Sequence, residues 1–124
     1  MKRPILALLT AMTLVACGSG QSGSPRVDQS QIARAEIDDH GPSNLHRLVE
    51  NLRPLWLQVR GAGSAGGAGG VAVYMDGSRV GEAGALVGIH SDNVESLRFL
   101  SSQQASARLG MGHQNGAILI TSRR

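Results

Sequence analysis

The sequence is poor in aromatic residues and cysteine and has no long apolar run, and each of these features limits the structures it can form. Its 124 residues include one Trp, one Tyr and one Phe, so the core must be built from Leu, Ile, Val and Ala. A single cysteine excludes an internal disulfide framework. The longest largely apolar run, residues 4–16, is too short to cross a bilayer as a helix. The length allows one domain.

The N-terminus has the layout of a bacterial export signal. Lys2 and Arg3 precede the apolar run, which ends in the tetrapeptide LVAC at 14–17. This tetrapeptide resembles the lipobox of bacterial lipoproteins. The resemblance implies cleavage before Cys17 and acylation of both its thiol and the new N-terminus, and several acyl chains form a stable anchor. Gly18, in place of an acid, is compatible with sorting to the outer membrane. The alternative is an ordinary secretory signal with an incidental cysteine.

The charge pattern argues against a nucleic-acid partner. The whole chain carries +3, but cleavage before Cys17 would leave ten arginines against nine acids, a net charge of about +1. The arginines are scattered and are not interleaved with aromatics, so no basic stripe is present in the sequence. We therefore expect binding to a membrane through lipid and no binding to nucleic acid.

The composition divides the chain into three segments. Residues 1–16 are the predicted lipoprotein signal peptide. Residues 17–30 are mostly Gly, Ser and Gln, which cannot bury enough apolar surface to fold, so we predict a lipidated flexible tether. Residues 31–124 form the predicted domain.

Within that domain, the first half is predicted to be mainly helical. A short helical turn is expected between Ile32 and Ile37. After Ser43, which can cap a helix, apolar residues recur at helical spacing, and Pro54 ends the pattern. These apolar residues are Leu45, Leu48, Val49 and Leu52.

The second half reads mostly as strands. Residues 55–60 and 71–75 are predicted strands, and Asp76-Gly77 predicts a tight turn into a short strand at 78–80. The segment 81–89 is a predicted loop with one helical turn. Strands at 93–101 and 115–122 flank a capped helix at 101–110, and the last strand is apolar enough to be buried on both faces. The prediction is a small α+β domain with one mixed sheet of about four to five strands and short helices.

The glycine-rich stretch 61–70 contains the spacing Gly61-x-Gly63-x-x-Gly66, which is also that of a dinucleotide-binding fingerprint. Such a site needs a helix that begins in the motif and crosses to the next parallel strand. Only four residues, three of them glycine, separate Gly66 from the next predicted strand, so no such helix fits. We predict a mobile loop and no nucleotide cofactor.

Three segments resemble the plug domain of TonB-dependent outer-membrane receptors. The segment IARAEIDDHGPSNLHRLVENL is similar to the opening helices of the plug, and VAVYMDGSRVG is similar to its Asp-Gly hairpin. The segment IHSDNVESLRFLSSQQASARLGMGHQNGAILITSRR is similar to its last third. The resemblance covers about residues 31–124. It implies a plug-like domain that binds an outer-membrane barrel, a TonB-system protein or a small ligand.

The sequence also departs from the receptors. It ends at Arg124, where the receptor barrel would begin, and SSQQ at 101–104 replaces the Arg/Lys-Gly-Pro common at that place. We therefore expect a free-standing plug-like domain on a lipid anchor, which has no transport pore of its own.

Residues for catalysis or metal binding are not arranged in a recognisable pattern. The four histidines have no His-x-x-x-His spacing, Cys17 is committed to lipid, and no serine lies in a Gly-x-Ser-x-Gly elbow. We expect no enzyme activity, no metal and no cofactor. A hydrolase or redox function ranks last because no nucleophile–base pair is evident.

Four residues are candidates for contact with a partner or ligand. His113 lies in the glycine-flanked turn GMGHQNG, and Trp56 is the single tryptophan. Arg60 and Arg79 flank the glycine loop and the hairpin, and they could form one basic rim. The plainer alternatives are turn geometry for His113, core packing for Trp56 and solvation for the arginines. The functional hypothesis is a binding or accessory module of an outer-membrane uptake system, and the alternative is a structural envelope lipoprotein unrelated to transport.

Overall fold

Five strands form one mixed sheet in the computed structural model, which describes residues 26–59 and 69–124. The spatial order is β1-β4-β5-β2-β3; β5 runs parallel to β2 and the other neighbours are antiparallel. The strands are β1 (Gln31–Ile32), β2 (Ala72–Met75), β3 (Ser78–Glu82), β4 (Val94–Leu100) and β5 (Ala117–Ser122). The predicted α+β class with one mixed sheet is confirmed. The predicted signal peptide, Cys17, Arg60 and most of the tether and of the glycine loop lie outside the described residues.

Three α-helices accompany the sheet within these ranges: α1 (Arg34–His40), α2 (Leu45–Leu52) and α3 (Ser102–Leu109). Asn44, not the predicted Ser43, caps α2, because its side chain accepts a hydrogen bond from the N–H of Arg47 at 2.9 Å. Ser101 and Gln104 form a reciprocal capping box at the start of α3, as the serine before the predicted helix suggested.

One side of the sheet, the packed face, carries α1, α2 and two 3₁₀ segments, Pro54–Leu57 and Ala83–Gly88. The large aliphatic side chains of the protein meet there, and each buried one contributes about 1.5–3 kcal/mol to stability. This core contains Ile32, Ile37, Leu45, Leu48, Val49, Trp56, Val71, Val73, Leu86, Val94, Leu97, Ile118 and Ile120.

The other side, the α3 face, is covered by α3 over part of its area. Ala105 of α3 is buried against Ala72, Leu100 and Ala117. Because these side chains are mostly alanine, the helix can approach the sheet closely. Alternate residues of β5 enter the two cores, so the prediction of a last strand buried on both faces is confirmed at its apolar start.

The predicted Asp-Gly hairpin is confirmed. Met75 pairs with Ser78, which leaves a two-residue turn whose Asp76 and Gly77 have φ angles of 49° and 87°. Two successive positive φ values define the turn type that matches the twist of antiparallel strands.

The predicted strand at 55–60 is wrong. Pro54 begins a 3₁₀ helix that runs to Leu57, buries Trp56 and leaves Leu55 70% exposed. Proline has no N–H to give a sheet ladder, but its fixed φ suits the first turn of a helix. In the segment Leu-Trp-Leu, the tryptophan is the buried position of this 3₁₀ turn. The edge position of the sheet next to β4 is taken instead by β1, which the sequence did not reveal.

Candidate functional site

A row of side chains crosses all five strands on the α3 face. The strand register pairs Arg98 with both Gln31 and Leu119, Leu119 with Tyr74, and Tyr74 with Arg79. Cross-strand partners project to the same side of a sheet. Helix α3 packs on the neighbouring row, so this row lies beside the helix rather than beneath it.

His113 is held against Tyr74 in this row. Its Nδ1 lies 2.8 Å from the carbonyl oxygen of Gly110, and its Nε2 lies 2.8 Å from the hydroxyl of Tyr74. A carbonyl only accepts, so Nδ1 carries the proton and Nε2 accepts from the Tyr74 hydroxyl. The imidazole is 6% exposed and uses both nitrogens within the fold. The two hydrogen bonds of His113 therefore hold the turn that ends at Gly116 against β2. This agrees with the interpretation that His113 belongs to the turn geometry.

Of the four candidates, the structure brings His113 and Arg79 to this row and places Trp56 elsewhere. Arg79 is exposed opposite Tyr74 and makes no hydrogen bond or ion pair within the described part of the chain. Trp56 belongs to the packed face, on the far side of the sheet. Arg60 lies outside the described residues, so the predicted basic rim with Arg79 has no structural description.

Trp56 forms the floor of an apolar groove. Its ring is 4% exposed and stacks on Phe99 with centroids 5.6 Å apart and planes 19° apart. Its Nε1–H donates to the carbonyl oxygen of Gln29 at 3.0 Å. The groove has a volume of about 240 Å³, and we call it the Trp56 groove. Its lining includes Leu52, Pro54, Leu55, Trp56, Phe99 and Asn115.

Arg53 fixes the chain beside this groove. Its guanidinium is ion-paired with Glu36 at 2.9 Å and donates to the carbonyl oxygens of Asp28, Gln31 and Leu52. The side chain is 7% exposed, and its Nε has no partner among the described residues. Because the guanidinium is nearly buried, removal of Glu36 would leave its charge without an ion-pair partner and would destabilise the fold. Fold contacts thus begin at Asp28, inside the predicted tether, and nothing in the sequence marked Arg53.

One serine–histidine contact exists in the described part of the chain. Ser43 Oγ lies 3.4 Å from Nδ1 of His40, whose Nε2 is 2.9 Å from Nδ2 of Asn51. In the assigned orientation of the Asn51 amide, Nδ2–H donates to Nε2, so Nδ1 carries the ring proton. His40 is then not a base toward Ser43. No group of three or more metal-ligating side chains is found within residues 26–59 and 69–124.

Two carboxylates have lowered pKa values for local reasons. The hydroxyl and N–H of Ser122 both donate to Asp76, at 2.5 and 3.0 Å, and lower the pKa of its carboxyl. The hydroxyl and N–H of Ser30 do the same for the pKa of Asp28, with a smaller effect of the Arg98 charge. Both groups are at the surface.

Comparison with known proteins found no match to the chain among family models, curated proteins or solved structures. Within the described ranges, none of the helices has the length and apolarity needed to cross a bilayer. A function must therefore be inferred from the sequence and from the geometry of these surfaces.

Proposed function

We propose that the mature protein is a non-enzymatic binding module with a plug-like domain, anchored by lipid at Cys17. It faces the periplasm from the outer membrane and docks a component of an uptake system there, either an outer-membrane barrel or a TonB-system protein. The observation that carries this proposal is the Trp56 groove.

The chemistry of the groove supports a protein partner. Leu55 is 70% exposed at the edge of a floor made by Trp56 and Phe99, so large apolar surface lies next to a rigid aromatic pair. Buried apolar anchors in pockets with a polar rim dominate the energy of protein interfaces. Gln29 and Gln58 supply polar groups at the rim.

The size of the groove favours a protein side chain over a free ligand. Pockets for small molecules hold about 300–1,000 Å³. The Trp56 groove, at about 240 Å³, falls below that range but has room for one large side chain of a partner. The groove therefore supports docking of a partner better than storage of a substrate.

A pull-down with matched variants tests this proposal. The acylated, C-terminally tagged protein is isolated from its native membranes in mild detergent, and bound proteins are identified by mass spectrometry. Leu55→Asp should abolish recovery of the uptake component because it places a charge at the apolar edge. Val87→Asp is the control, since Val87 is 57% exposed and does not line the groove. An uptake component that is still recovered with Leu55→Asp contradicts the role of the groove. Recovery of no uptake component favours the structural envelope lipoprotein.

The lipid anchor has a separate test. Cys17→Ser should prevent acylation and leave an uncleaved precursor, because serine has no thiol to receive diacylglycerol. Lipid labelling and the mass of the N-terminus measure both effects. Normal processing with labelling in the variant would contradict the lipoprotein interpretation and leave the groove proposal untouched.

A further inference from the structure

Two adjoining depressions on the α3 face share the same two arginines. They have volumes of about 250 and 350 Å³, and Arg98 and Arg108 line both. Arg98 projects from the middle of β4, and Arg108 lies in the last turn of α3. Because the two side chains come from separate elements, the fold rather than local sequence brings them to one place.

Neither guanidinium is neutralised by the fold. Arg98 and Arg108 make no hydrogen bond or ion pair within the described ranges, whereas Arg34 pairs with Asp38 and Arg53 pairs with Glu36. Among the described residues, those that line the two depressions include no acid. Both guanidinium groups therefore line one surface, and the described residues accept no hydrogen bond from them.

Asp28, an acid whose pKa responds to Arg98, does not neutralise the two arginines. Asp28 is close enough for the charge of Arg98 to contribute to its lowered pKa, but its carboxylate accepts both hydrogen bonds of Ser30 and forms no ion pair with Arg98. It lines neither depression. An external anion can thus approach both arginines without displacing an internal one.

The rest of the described lining is uncharged and combines polar side chains with three apolar ones, Phe99, Leu100 and Leu119. The side-chain hydroxyls of Ser96 and Thr121 stand beside the second depression, and the amide of Gln104 stands beside the first. The Oε1 of Gln104 accepts from the N–H of Ser101, which leaves its NH₂ group to donate elsewhere. Neutral donors therefore lie beside the two positive charges.

We propose that Arg98 and Arg108 form a binding site for a phosphate group, either on a soluble anion or on a lipid headgroup. Guanidinium forks pair with the oxygens of phosphate groups. Inorganic phosphate has enough oxygens for a bidentate pair with each arginine, and the phosphodiester of a lipid headgroup has two free oxygens, one for each arginine. Phe99 borders both the first depression and the Trp56 groove, but Arg98 and Arg108 do not line that groove. The proposed phosphate site therefore goes beyond the partner groove and does not depend on it.

The experiment uses the acylated full-length mature protein in a neutral detergent at constant ionic strength. Inorganic phosphate is titrated in one arm, and phosphatidylglycerol is added to the micelles in the other, with phosphatidylcholine as its uncharged reference. Binding is followed by the rise in melting temperature and by NMR shifts of the arginine Nε–H groups. A phosphate-binding site predicts a saturable response in at least one arm.

Arginine variants decide whether the response belongs to this site. Arg98→Gln and Arg108→Gln should each weaken binding by about tenfold or more, because each removes a charge-assisted pair. Arg47→Gln is the matched control, since Arg47 is exposed on α2, lines neither depression and removes the same charge. Response to phosphate alone identifies a soluble anion, and response to phosphatidylglycerol alone identifies a headgroup. Absence of a saturable response in both arms, or equal weakening by Arg47→Gln, overturns the proposal.

Discussion

The two faces of the sheet are built from the same five strands but differ in what they can do. The packed face is filled with Ile, Leu and Val. The α3 face has alanines under a short helix and, beside them, a mixed row in which Arg98 and Arg79 are exposed and Leu119 and Tyr74 are partly buried. Because strand side chains alternate, a register slip of one residue would exchange these two sets. The large buried residues therefore fix the register, and the α3 face is left free to carry arginines.

A charge placed on either of two neighbouring residues of β5 should show the largest difference between the two faces. Ile118 is fully buried in the packed face, so Ile118→Asp buries an unpaired carboxylate and should cost about 3–5 kcal/mol, enough to unfold the domain. Leu119→Asp should cost clearly less because Leu119 is only partly buried on the α3 face. Circular dichroism during urea unfolding measures both. Equal destabilisation by the two substitutions would show that the faces are equally packed.

A pair of glycine substitutions tests how closely the chain just before β5 packs against β4. Gly116 has φ 85°, and an added Cβ would lie 2.4 Å from the carbonyl oxygen of Leu100 and 2.9 Å from the Phe99 ring. Gly116→Ala should therefore cost about 2–4 kcal/mol through strain and overpacking.

Gly112 supplies the control for this substitution. It has a similar φ of 100°, but an added Cβ would meet no atom within 4 Å. Gly112→Ala should cost only the backbone strain, about 1–2 kcal/mol. Chemical denaturation compares the two free energies of unfolding, and similar values would show that the close approach at Gly116 is unimportant.

Local patterns explain which parts of the fold were predictable. The helix at 45–52, the Asp-Gly hairpin and the strands β4 and β5 each have a period or a turn signal of their own in the sequence. The two-residue strand β1 has neither, because it forms only where β4 presents a free edge. The strand predicted at 55–60 was wrong for a related reason. The burial of Trp56 depends on stacking with Phe99, more than forty positions away, and the local sequence does not show that contact.

Candidate binding residues were harder to predict than the fold. His113 and Trp56 were selected by residue type, but both side chains have structural partners, Tyr74 and Phe99 respectively. Arg98 and Arg108 were not selected, because ten positions separate them and only the packing of α3 on β4 brings them together. A sequence shows which arginines exist, but it does not show which of them lack an acidic neighbour.

Tyr74→Phe should lower the stability of the α3 face by a smaller amount. The hydroxyl of Tyr74 donates to Nε2 of His113, which is 6% exposed, so its removal leaves a buried acceptor unpaired. We expect a loss of about 1–3 kcal/mol in the free energy of unfolding and faster hydrogen exchange in the turn that ends at Gly116. An unchanged stability would mean that the turn is held without this hydrogen bond.

The smallest expected effect concerns the Asp76–Ser122 contact, which joins the hairpin to the end of β5. The pKa of Asp76 is lowered from 3.8 by hydrogen bonds from the Ser122 side chain and N–H, so the ionised carboxylate stabilises the folded state above pH 3.8. This contribution is lost as pH falls through the folded-state pKa. Asp76→Asn keeps the turn, because asparagine tolerates the positive φ of 49°. The difference in melting temperature between wild type and Asp76→Asn should therefore be largest near neutral pH and should shrink below pH 3.8. A difference that does not change with pH would mean that the charge of Asp76 contributes nothing to the stability of this contact.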